Sequence, residues 1–276
     1  MMEVLHKLQE KIQEKKELSG IAKTLVRKEI LLYLHREPKA KTVLDQFKNP
    51  RSAVYKSVIK DVRALLRRKY GLFHAENVVG TKSGTLAAHS STSERLSFYP
   101  QLYEHIFSIT GKPQVMVDLG CGLNPLSLPL MNLHHITYYA YDVNETDLHI
   151  VQIFFDRYKT KHQGFNGHVA VLDLFDIEQL SSLPTSDVCF LFKVTDLLDA
   201  GKGHKASEKV ISTVPARFVV VSFPTKTMSG KPMNAPRRRW MEWMCQRIGY
   251  EYTILEFENE IFYVIEKDFF DKAGHN

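Results

Sequence analysis

Apolar residues in the first part of the chain recur at the intervals of amphipathic helices. Val4, Leu8 and Ile12 follow one another every four residues, with Lys and Glu between them. A second stripe runs through Ile21, Leu25, Ile30, Leu31 and Leu34. Pro38 and Pro50 interrupt the pattern, because proline cannot continue a helix from within. The pattern therefore predicts a series of separate helices.

A further helix is predicted from Ser52 to Tyr70. Its apolar face consists of Val54, Val58, Val62 and Leu65 or Leu66. Gly71 ends this helix, and residues 76–88 are rich in Gly, Ser and Thr, which is typical of a hinge. We therefore predict a helical domain over residues 1–85 and a second domain over residues 86–276.

The pattern changes from Gln114 onward, where short apolar runs alternate with helical stretches. The runs are Val115–Leu119, Ile136–Tyr141, His168–Leu172, Val188–Phe192, Phe218–Phe223 and Ile261–Ile265. Such alternation predicts an α/β domain with a mostly parallel sheet. One more run, Thr253–Phe257, is separated from the last by Glu258–Glu260, which predicts a terminal antiparallel hairpin. A helix over residues 92–109 is predicted to precede the first strand.

Charge is distributed unevenly between the two predicted domains. Residues 1–70 hold 18 Lys and Arg and 8 Asp and Glu, a net of +10, within a chain whose total is +6. The other 206 residues hold 19 basic and 23 acidic residues, a net of −4. A basic helical region beside a mildly acidic domain is typical of a module that binds a polyanion. Lysine-rich but merely solvated helix surfaces are the alternative.

The composition also bears on the compartment. No run approaches the ~18 apolar residues of a membrane span, and the N-terminus lacks the apolar core of a signal peptide. Cys121, Cys189 and Cys245 are few, odd in number and widely spaced, so they form neither a disulfide framework nor a zinc motif. We therefore expect a cytoplasmic protein without a metal site.

The segment from Val115 to Pro125 carries the strongest chemical signal. A predicted strand runs into Asp118, and Gly120 and Gly122 then form a tight turn. Glycine is needed where a ligand approaches the backbone closely, and such a turn at the carboxyl edge of a parallel sheet is typical of a nucleotide site. The segment has neither the third glycine of the dinucleotide fingerprint nor the Lys-Ser/Thr of a P-loop.

Acidic residues follow the next two predicted strands at the same edge of the sheet. Asp142 ends the second strand, 22 residues after Gly120, where a carboxylate usually accepts hydrogen bonds from ribose hydroxyls. Asp173 ends the third strand, where a carboxylate can accept from an adenine amino group. Each acid alone could be a helix cap, but together with the glycine turn they predict a site for S-adenosylmethionine (SAM).

The fourth strand indicates which atom receives the methyl group. It is followed by Lys193-Val-Thr-Asp, which lacks the Asn/Asp-Pro-Pro-aromatic turn of enzymes that methylate exocyclic amines. Cys189 lies within the strand, so it does not resemble the nucleophile of cytosine-C5 enzymes. A ring nitrogen such as guanine N7 fits, because its lone pair needs no covalent activation and catalysis then rests on positioning and electrostatics.

Three segments together resemble a known family. They are His89-Ser-Ser-Thr-Ser-Glu-Arg-Leu, Asp118-Leu-Gly-Cys-Gly-Leu-Asn-Pro, and Phe192-Lys193 with the later Val221-Ser-Phe-Pro-Thr-Lys and Ser229-Gly. They resemble the aminoglycoside-resistance 16S rRNA (guanine(1405)-N(7))-methyltransferases over about residues 20–230. The resemblance implies a Rossmann-like class I SAM-dependent methyltransferase domain, an N-terminal all-helical domain that docks on the 30S subunit, and recognition of ribosome shape and phosphate.

The resemblance also implies roles for individual residues. Arg95 would hold the methionine carboxylate of SAM, since a guanidinium can bind a carboxylate through two hydrogen bonds; a helix-surface salt bridge is the alternative. The full set of implied cofactor residues is Phe73, His89, Ser90, Ser91, Arg95, Gly120, Asp142, Asp173 and Leu174. The residues implied to face the target nucleotide, as catalytic candidates, are Lys193, Ser222 and Lys226.

The chain departs from the family pattern after Lys231. Members of the family carry a Met-Glu-x-x-Tyr stretch there, and this chain has Met233-Asn-Ala-Pro-Arg-Arg-Arg-Trp-Met-Glu-Trp243 instead. The arginines and tryptophans could clamp phosphate and stack a flipped base, or the tryptophans could face the core. The candidate RNA-binding residues are Arg67, Arg68, Lys69, Lys226, Lys231, Arg237, Arg238 and Arg239. The departure leaves the exact target nucleotide open.

Two further functions stay open at this point. The chain could be a SAM methyltransferase for another RNA nucleotide, a small molecule or a protein, in which case deletion of residues 1–70 would leave activity intact. It could also be a non-catalytic RNA-binding or ribosome-assembly factor that keeps the fold, in which case it would fail to bind SAM.

Overall fold

The N-terminal region is built from helices, as the periodicity predicts. The computed structural model describes residues 2–37, 52–70, 90–199, 203–227 and 231–267. The first three helices are α1 (Met2–Gln13), α2 (Lys23–Arg36) and α3 (Ala53–Tyr70), with a short 3-10 helix at Lys16–Leu18. Their mutual contacts bury a shared core that contains Leu8, Ile12, Val26, Ile30 and Val62.

Two apolar residues in the predicted stripes do not join this core. Leu31 and Val54 are exposed, whereas Val26, which the predicted stripe did not include, is buried. In α2 the buried positions are Leu25, Val26, Glu29, Ile30 and Leu34, which form one face of the helix. At about 100° per residue, Leu31 falls beyond the edge of the arc that these five residues span.

The chain divides into two compact units. One comprises residues 1–74 together with 143–146, and the other comprises residues 75–142 and 147–276. The predicted boundary between residues 85 and 86 falls within residues 71–89, outside the described residues, so the exact boundary stays a prediction.

The second unit is a seven-stranded sheet of order β3-β2-β1-β4-β5-β7-β6. The strands are β1 (Val115–Leu119), β2 (Ile136–Asp142), β3 (Phe165–Val171), β4 (Ser186–Phe192), β5 (Ala216–Pro224), β6 (Glu251–Glu256) and β7 (Glu260–Glu266). The first five are parallel, and β7 runs antiparallel to both β5 and β6. The α/β class and the terminal hairpin are thereby confirmed.

Helices cover both faces of this sheet. They are α4 (Ser90–Ser93), α5 (Tyr99–Thr110), α6 (Glu145–Lys159), α7 (Ile177–Ser181), α8 (Thr195–Leu198), α9 (Lys205–Thr213) and α10 (Arg239–Ile248), with a 3-10 helix at Asn124–Met131. The single helix predicted over residues 92–109 is therefore wrong, since two helices stand there. Pro100 suits the first turn of α5, where its missing N–H costs no helical hydrogen bond.

The core consists of two apolar layers, one on each face of the sheet. One layer joins the sheet to α5, α6 and the 3-10 helix, and the other joins it to α7, α9 and α10. Along β4, Val188 and Phe190 enter the first layer while Cys189 and Leu191 enter the second, because strand side chains alternate between faces. Cys189 is thus a core residue, as expected.

Candidate active site

The strand order brings the predicted site residues to one edge of the sheet. From β1 the chain proceeds outward through β2 and β3, then returns to place β4 on the other side of β1. In open α/β sheets, ligands bind outside the carboxyl ends of the strands at such a reversal of strand order. Asp142 is the last residue of β2, and the segments that follow β1, β3 and β4 carry Gly120, Asp173 and Lys193.

The turn after β1 requires glycine for reasons within the protein. Gly120 has φ +66°, a left-handed conformation that side chains with a Cβ rarely adopt. A Cβ at this position would lie 2.6 Å from Cγ1 of Val194, which follows β4. Glycine was predicted here because a ligand approaches the backbone closely, but the backbone conformation and the Val194 side chain already require it.

The turn is held by its neighbours on β2. The N–H groups of Gly120 and Cys121 both donate to the Tyr141 carbonyl, at 2.8 and 3.0 Å. The N–H of Gly122 donates to Oδ2 of Asp142 at 2.9 Å. The carboxylate at the end of β2 is therefore placed directly against the glycine turn.

Asp118 is the centre of a buried hydrogen-bond network that includes Asn124 of the glycine motif. Its carboxylate is buried and accepts hydrogen bonds from Asn124 Nδ2 at 2.8 Å and from the Tyr138 hydroxyl at 2.7 Å. The Asn124 side chain in turn accepts from the Tyr99 hydroxyl at 2.9 Å. Burial raises the pKa of Asp118 to about 6. This chain of hydrogen bonds fixes the start of the 3-10 helix relative to β1, so Asp118 and Asn124 position the turn.

A second acidic residue lies near Asp142. Asp147, in the first turn of α6, is buried, and burial together with the Asp142 carboxylate raises its pKa to about 7. The sequence analysis did not identify this residue. The available signal was an acid five residues after a strand-end acid, which is also the ordinary position of a charge at a helix N-terminus.

Asp173 and Leu174 lie at the end of the neighbouring strand. Asp173 is buried, and its Oδ1 accepts from the Phe175 N–H at 3.1 Å. Leu174 is buried beside it. The Leu172 N–H donates to the Asp142 carbonyl at 3.1 Å, which links the two strand ends. The two predicted carboxylates therefore sit on adjacent strands at the same edge.

The backbone at Lys193 is held in an unusual conformation just after β4. Its φ is +58°, which a non-glycine residue adopts only when its surroundings stabilise it. Its N–H donates to both the side-chain and main-chain oxygens of Ser222, at 3.0 and 3.2 Å. Ser222 is fully buried on β5, so in this structure it positions Lys193.

Lys193 belongs to a cluster of charged residues in which Arg95 and Glu260 are buried and Glu94 is exposed. Its Nζ contacts the carboxylate of Glu94 and lies 3.3 Å from Oε2 of Glu260. Arg95 donates from Nε and Nη2 to the Glu260 carboxylate at 2.7–3.0 Å. The guanidinium also stacks over the Phe192 ring at 4.8 Å. Arg95 is 1% exposed and Glu260 is 0% exposed.

Glu260 is a second residue of the candidate site that could not be identified from the sequence. It was predicted to lie in the turn of the hairpin, whereas it is the first residue of β7. Its carboxylate lies between two cations that were predicted to serve the cofactor and the target. The partner of Arg95 in this structure is thus a protein carboxylate, and its role toward a cofactor stays a prediction.

The structure places the other predicted cations in different environments. Arg67 contacts Glu17 at 2.5 Å and Lys69 contacts the buried Glu29 at 2.7 Å, both within the helical unit. Between them, Arg68 is exposed. In the second unit, Lys226 contacts Glu258 at 2.9 Å and pairs with Pro232 in a β-bridge, and Lys231 is exposed.

The segment Met233–Trp243 contains side chains in both predicted environments, some packed against the protein and others exposed to solvent. Arg238 stacks over Phe223 at 5.0 Å, whereas Arg237 contacts Glu242 at 3.0 Å and Arg239 is exposed. Trp240 stacks on the His204 ring with centroids 4.1 Å apart. Trp243, by contrast, is 66% exposed. One tryptophan therefore packs inward and the other faces solvent.

Some predicted residues lie outside the part of the chain that the structure describes. These are Phe73 and His89, and also the side chains of Ser90 and Ser91, whose backbone begins α4. Across the described ranges, no helix is long and apolar enough to cross a membrane. Nor does any group of three or more His, Cys, Asp or Glu side chains in those ranges form a metal site.

These features define the class of protein. Five parallel strands with an antiparallel β7 inserted beside β5, and a glycine turn after β1, form the fold of a SAM-dependent methyltransferase. A solved structure entitled 16S rRNA methyltransferase RmtF in complex with S-adenosyl-L-homocysteine shares this fold. Its TM-score is 0.68 at 20% identity, covering 97% of this chain and 99% of that one.

Sequence comparison places the chain more narrowly. The family model described as ribosomal RNA methyltransferase (FmrO) matches residues 37–264. A 16S rRNA (guanine(1405)-N(7))-methyltransferase of Micromonospora rosea is 31% identical over 195 residues, covering 70% of this chain and 68% of that protein. A protein of the same name from Frankia casuarinae is 27% identical over 222 residues, covering 79% and 73%.

The chain belongs to the FmrO family of ribosomal RNA methyltransferases. It is therefore an enzyme, with SAM as its methyl donor. The family resemblance that the three sequence motifs indicated is confirmed.

Proposed function

We propose that this protein transfers a methyl group from SAM to N7 of a decoding-site guanine in 16S rRNA, the nucleotide numbered 1405 in the names of its relatives. The substrate is the 30S subunit, and the reaction takes place in the cytoplasm. The observation that carries this proposal is the family match, which extends over residues 37–264 and so includes β1 to β6 completely and β7 as far as Val264.

The donor set at the sheet edge suits this cofactor. Asp142 and Asp173 are carboxylates on adjacent strand ends, so they can accept hydrogen bonds from ribose hydroxyls and from an adenine amino group. Gly120 and Gly122, which have no side chains, present their backbone in the turn after β1, next to Asp142. When bound, SAM supplies an electrophilic methyl group on a positively charged sulfur. We assign Asp142 to the ribose and Asp173 with Leu174 to the adenine.

The chemistry requires no general base. Guanine N7 has a lone pair and carries no proton, so methylation forms one N–C bond, breaks one S–C bond and transfers the positive charge to the base. The protein must then position the ring and exclude water. Lys193 and Ser222 support this role, because Ser222 holds the Lys193 backbone in its left-handed conformation at the edge of the sheet.

The cluster around Glu260 has an electrostatic role in this proposal. Glu260 is buried between Arg95 and Lys193, and Glu94, whose side chain is 47% exposed, places a second carboxylate against Lys193. A buried charge is tolerated only when it is paired, so the cluster fixes both cations in position. Positively charged groups held in this way keep their orientation without reorganising when substrate binds.

Modification at this guanine would change the surface on which some aminoglycosides dock. We propose that the enzyme confers resistance to those drugs, because a methyl group and a positive charge on N7 remove a hydrogen-bond acceptor. The basic helical unit would then dock on the rRNA phosphates of the 30S subunit. Arg68 is exposed and so can contact them.

The direct test is methyl transfer from radiolabelled SAM to purified 30S subunits, with naked 16S rRNA and 50S subunits as parallel substrates. Borohydride and aniline cleavage followed by primer extension maps N7 methylation. We expect label on 30S subunits and cleavage at the decoding-site guanine. Label on none of the three substrates, from a protein that binds SAM, would overturn the proposal.

The assignment of Asp142 leads to a separate prediction. We expect Asp142→Asn to weaken SAM binding by roughly ten- to a hundredfold, because a hydrogen bond to a charged group contributes about 1.5–3 kcal/mol. The amide oxygen can still accept from the Gly122 N–H, so the turn and the stability should be largely kept. Isothermal titration calorimetry with SAM measures the first effect and thermal unfolding measures the second. Unchanged SAM affinity would contradict the assignment.

A further inference from the structure

An exposed face of α10 has no role in the site described so far. Arg239, Trp243 and Arg247 are spaced four residues apart, so their side chains lie along one side of the helix. All three are exposed. Trp243 is 66% exposed, whereas most large apolar side chains that the structure describes are buried. An indole lying between two arginines is thus presented to solvent.

This face is held rigidly from beneath. The opposite side of α10 buries Met241, Met244 and Cys245 in the second apolar layer. At the helix start, the Arg238 guanidinium stacks over Phe223, and the Arg238 backbone N–H donates to the Tyr263 hydroxyl at 2.8 Å. These two contacts hold the first turn of the helix in place. A rigid aromatic surface loses little conformational entropy when a ligand packs against it.

The helix begins at the same edge of the sheet as the active site. Phe223 is near the end of β5, one residue after Ser222, and Arg238 Nη2 also reaches Asp196 at 3.4 Å, just after β4. The exposed face therefore starts beside the strand ends that carry Lys193 and Ser222. It extends away from them for roughly 12 Å between Arg239 and Arg247, at 1.5 Å per residue.

The charges on this face favour a polyanion. Arg247 contacts Glu208 at 2.6 Å, but both side chains are substantially exposed, and exposed pairs of this kind exchange partners at little cost. On the neighbouring helix α9, Lys205 and Lys209 are exposed as well. If two copies of the chain associated through this same face, the arginines of one copy would lie close to those of the other. The repulsion between like charges therefore argues against such self-association.

We infer that the Arg239–Trp243–Arg247 face binds 16S rRNA outside the catalytic pocket, with Trp243 stacking on an unpaired base and the two arginines contacting flanking phosphates. Aromatic side chains bind bases of any sequence through their faces, and arginine suits phosphate through two parallel hydrogen bonds. The inference rests on the proposed function. It adds a contact surface for RNA that neighbours the target guanine.

The test measures binding of full-length variants to 30S subunits by filter retention. We expect Trp243→Ala to raise the Kd by roughly 5- to 150-fold, the effect of losing one stacked base. Trp243→Phe should retain most of the affinity, and Trp243→Leu should not, because leucine is apolar but cannot stack. Arg239→Gln should lower the slope of log K against log salt concentration by about one.

Matched controls separate this surface from general effects. Ile153→Ala removes an exposed apolar side chain from α6, and Arg157→Gln removes an exposed charge from the same helix. Both should bind 30S subunits like the wild type. Unaltered circular dichroism and SAM affinity of the Trp243 variants would show that they fold.

The outcomes distinguish the inference from the function on which it rests. If wild-type protein methylates 30S subunits and the Trp243→Ala and Arg239→Gln variants bind as it does, the inference is overturned and the function stands. Retained binding by Trp243→Leu would overturn stacking in favour of an apolar protein contact. Wild-type protein that transfers no methyl group to 30S subunits would overturn both.

Discussion

Glu260→Gln should destabilise the protein more than any other single change to the active site. The amide keeps an acceptor oxygen but removes the charge that pairs with Arg95 and Lys193. Arg95 is buried, so it would become an uncompensated cation in the protein interior. Loss of one partner from a buried ion pair costs about 3–5 kcal/mol. We therefore expect the free energy of unfolding, measured by urea denaturation at pH 7, to fall by about that amount.

The same hairpin supplies a control for this prediction. Glu258→Gln makes the identical chemical change two residues earlier, at an 84% exposed side chain whose partner is Lys226. Exposed pairs contribute little, so its stability should match that of the wild type. Equal stability of the two variants would show that the Glu260 carboxylate does not compensate the buried cations.

A double variant tests whether the charges act together. Arg95→Met with Glu260→Met replaces the pair by apolar groups, and such replacements are often nearly neutral. Its loss of stability should be smaller than the sum of the two single losses. Methyl transfer should nevertheless remain impaired, since Lys193 loses one of its two carboxylate contacts.

Gly120→Ala should impair both folding stability and cofactor binding. A residue with a Cβ in the left-handed backbone conformation of position 120 costs about 1–2 kcal/mol of stability. The 2.6 Å approach of that Cβ to Val194 Cγ1 adds a steric cost. Relief of this contact would move the turn that contacts Asp142. We expect a loss of more than about 2 kcal/mol in stability and a SAM affinity lowered by at least about tenfold.

Two further variants separate the conformational cost of a Cβ at position 120 from its steric cost. Gly249 has φ +78° and ψ 21°, a left-handed conformation, and a Cβ there would meet nothing within 4 Å, so Gly249→Ala should show the conformational cost alone. Adding Val194→Ala to Gly120→Ala should recover the steric part of the loss. Gly120→Ala no more damaging than Gly249→Ala would mean that the Val194 contact relaxes freely.

Local patterns were sufficient for the elements and for part of the site. The apolar run at Val115–Leu119 is the strand that the structure contains, and the acids at Asp142 and Asp173 lie at the predicted strand ends. These features could be predicted because strand and helix periodicities are properties of neighbouring residues, and successive parallel strands place their carboxyl ends at one edge. The glycine turn was predictable as a turn, although its steric reason was not.

The contacts that connect distant segments could not be predicted in this way. Arg95 and Glu260 are 165 positions apart, and they meet only because β7 is inserted beside β5. From the sequence alone, Glu260 was therefore predicted only to be an acidic residue in a hairpin turn. Likewise, Arg67 and Lys69 appeared equally available to RNA, and only the packing of the helical unit places Glu17 and Glu29 against them.

The class of fold, the family and the sheet edge that carries Gly120, Asp142 and Asp173 could all be inferred from the sequence alone. Which charges are paired and which aromatic side chains are exposed became known from the three-dimensional packing. Trp240 and Trp243 stand three residues apart in the same helix, yet one stacks on His204 and the other faces solvent. The physical reason is that burial depends on which elements pack against a helix face, and that is set by strand order rather than by local periodicity.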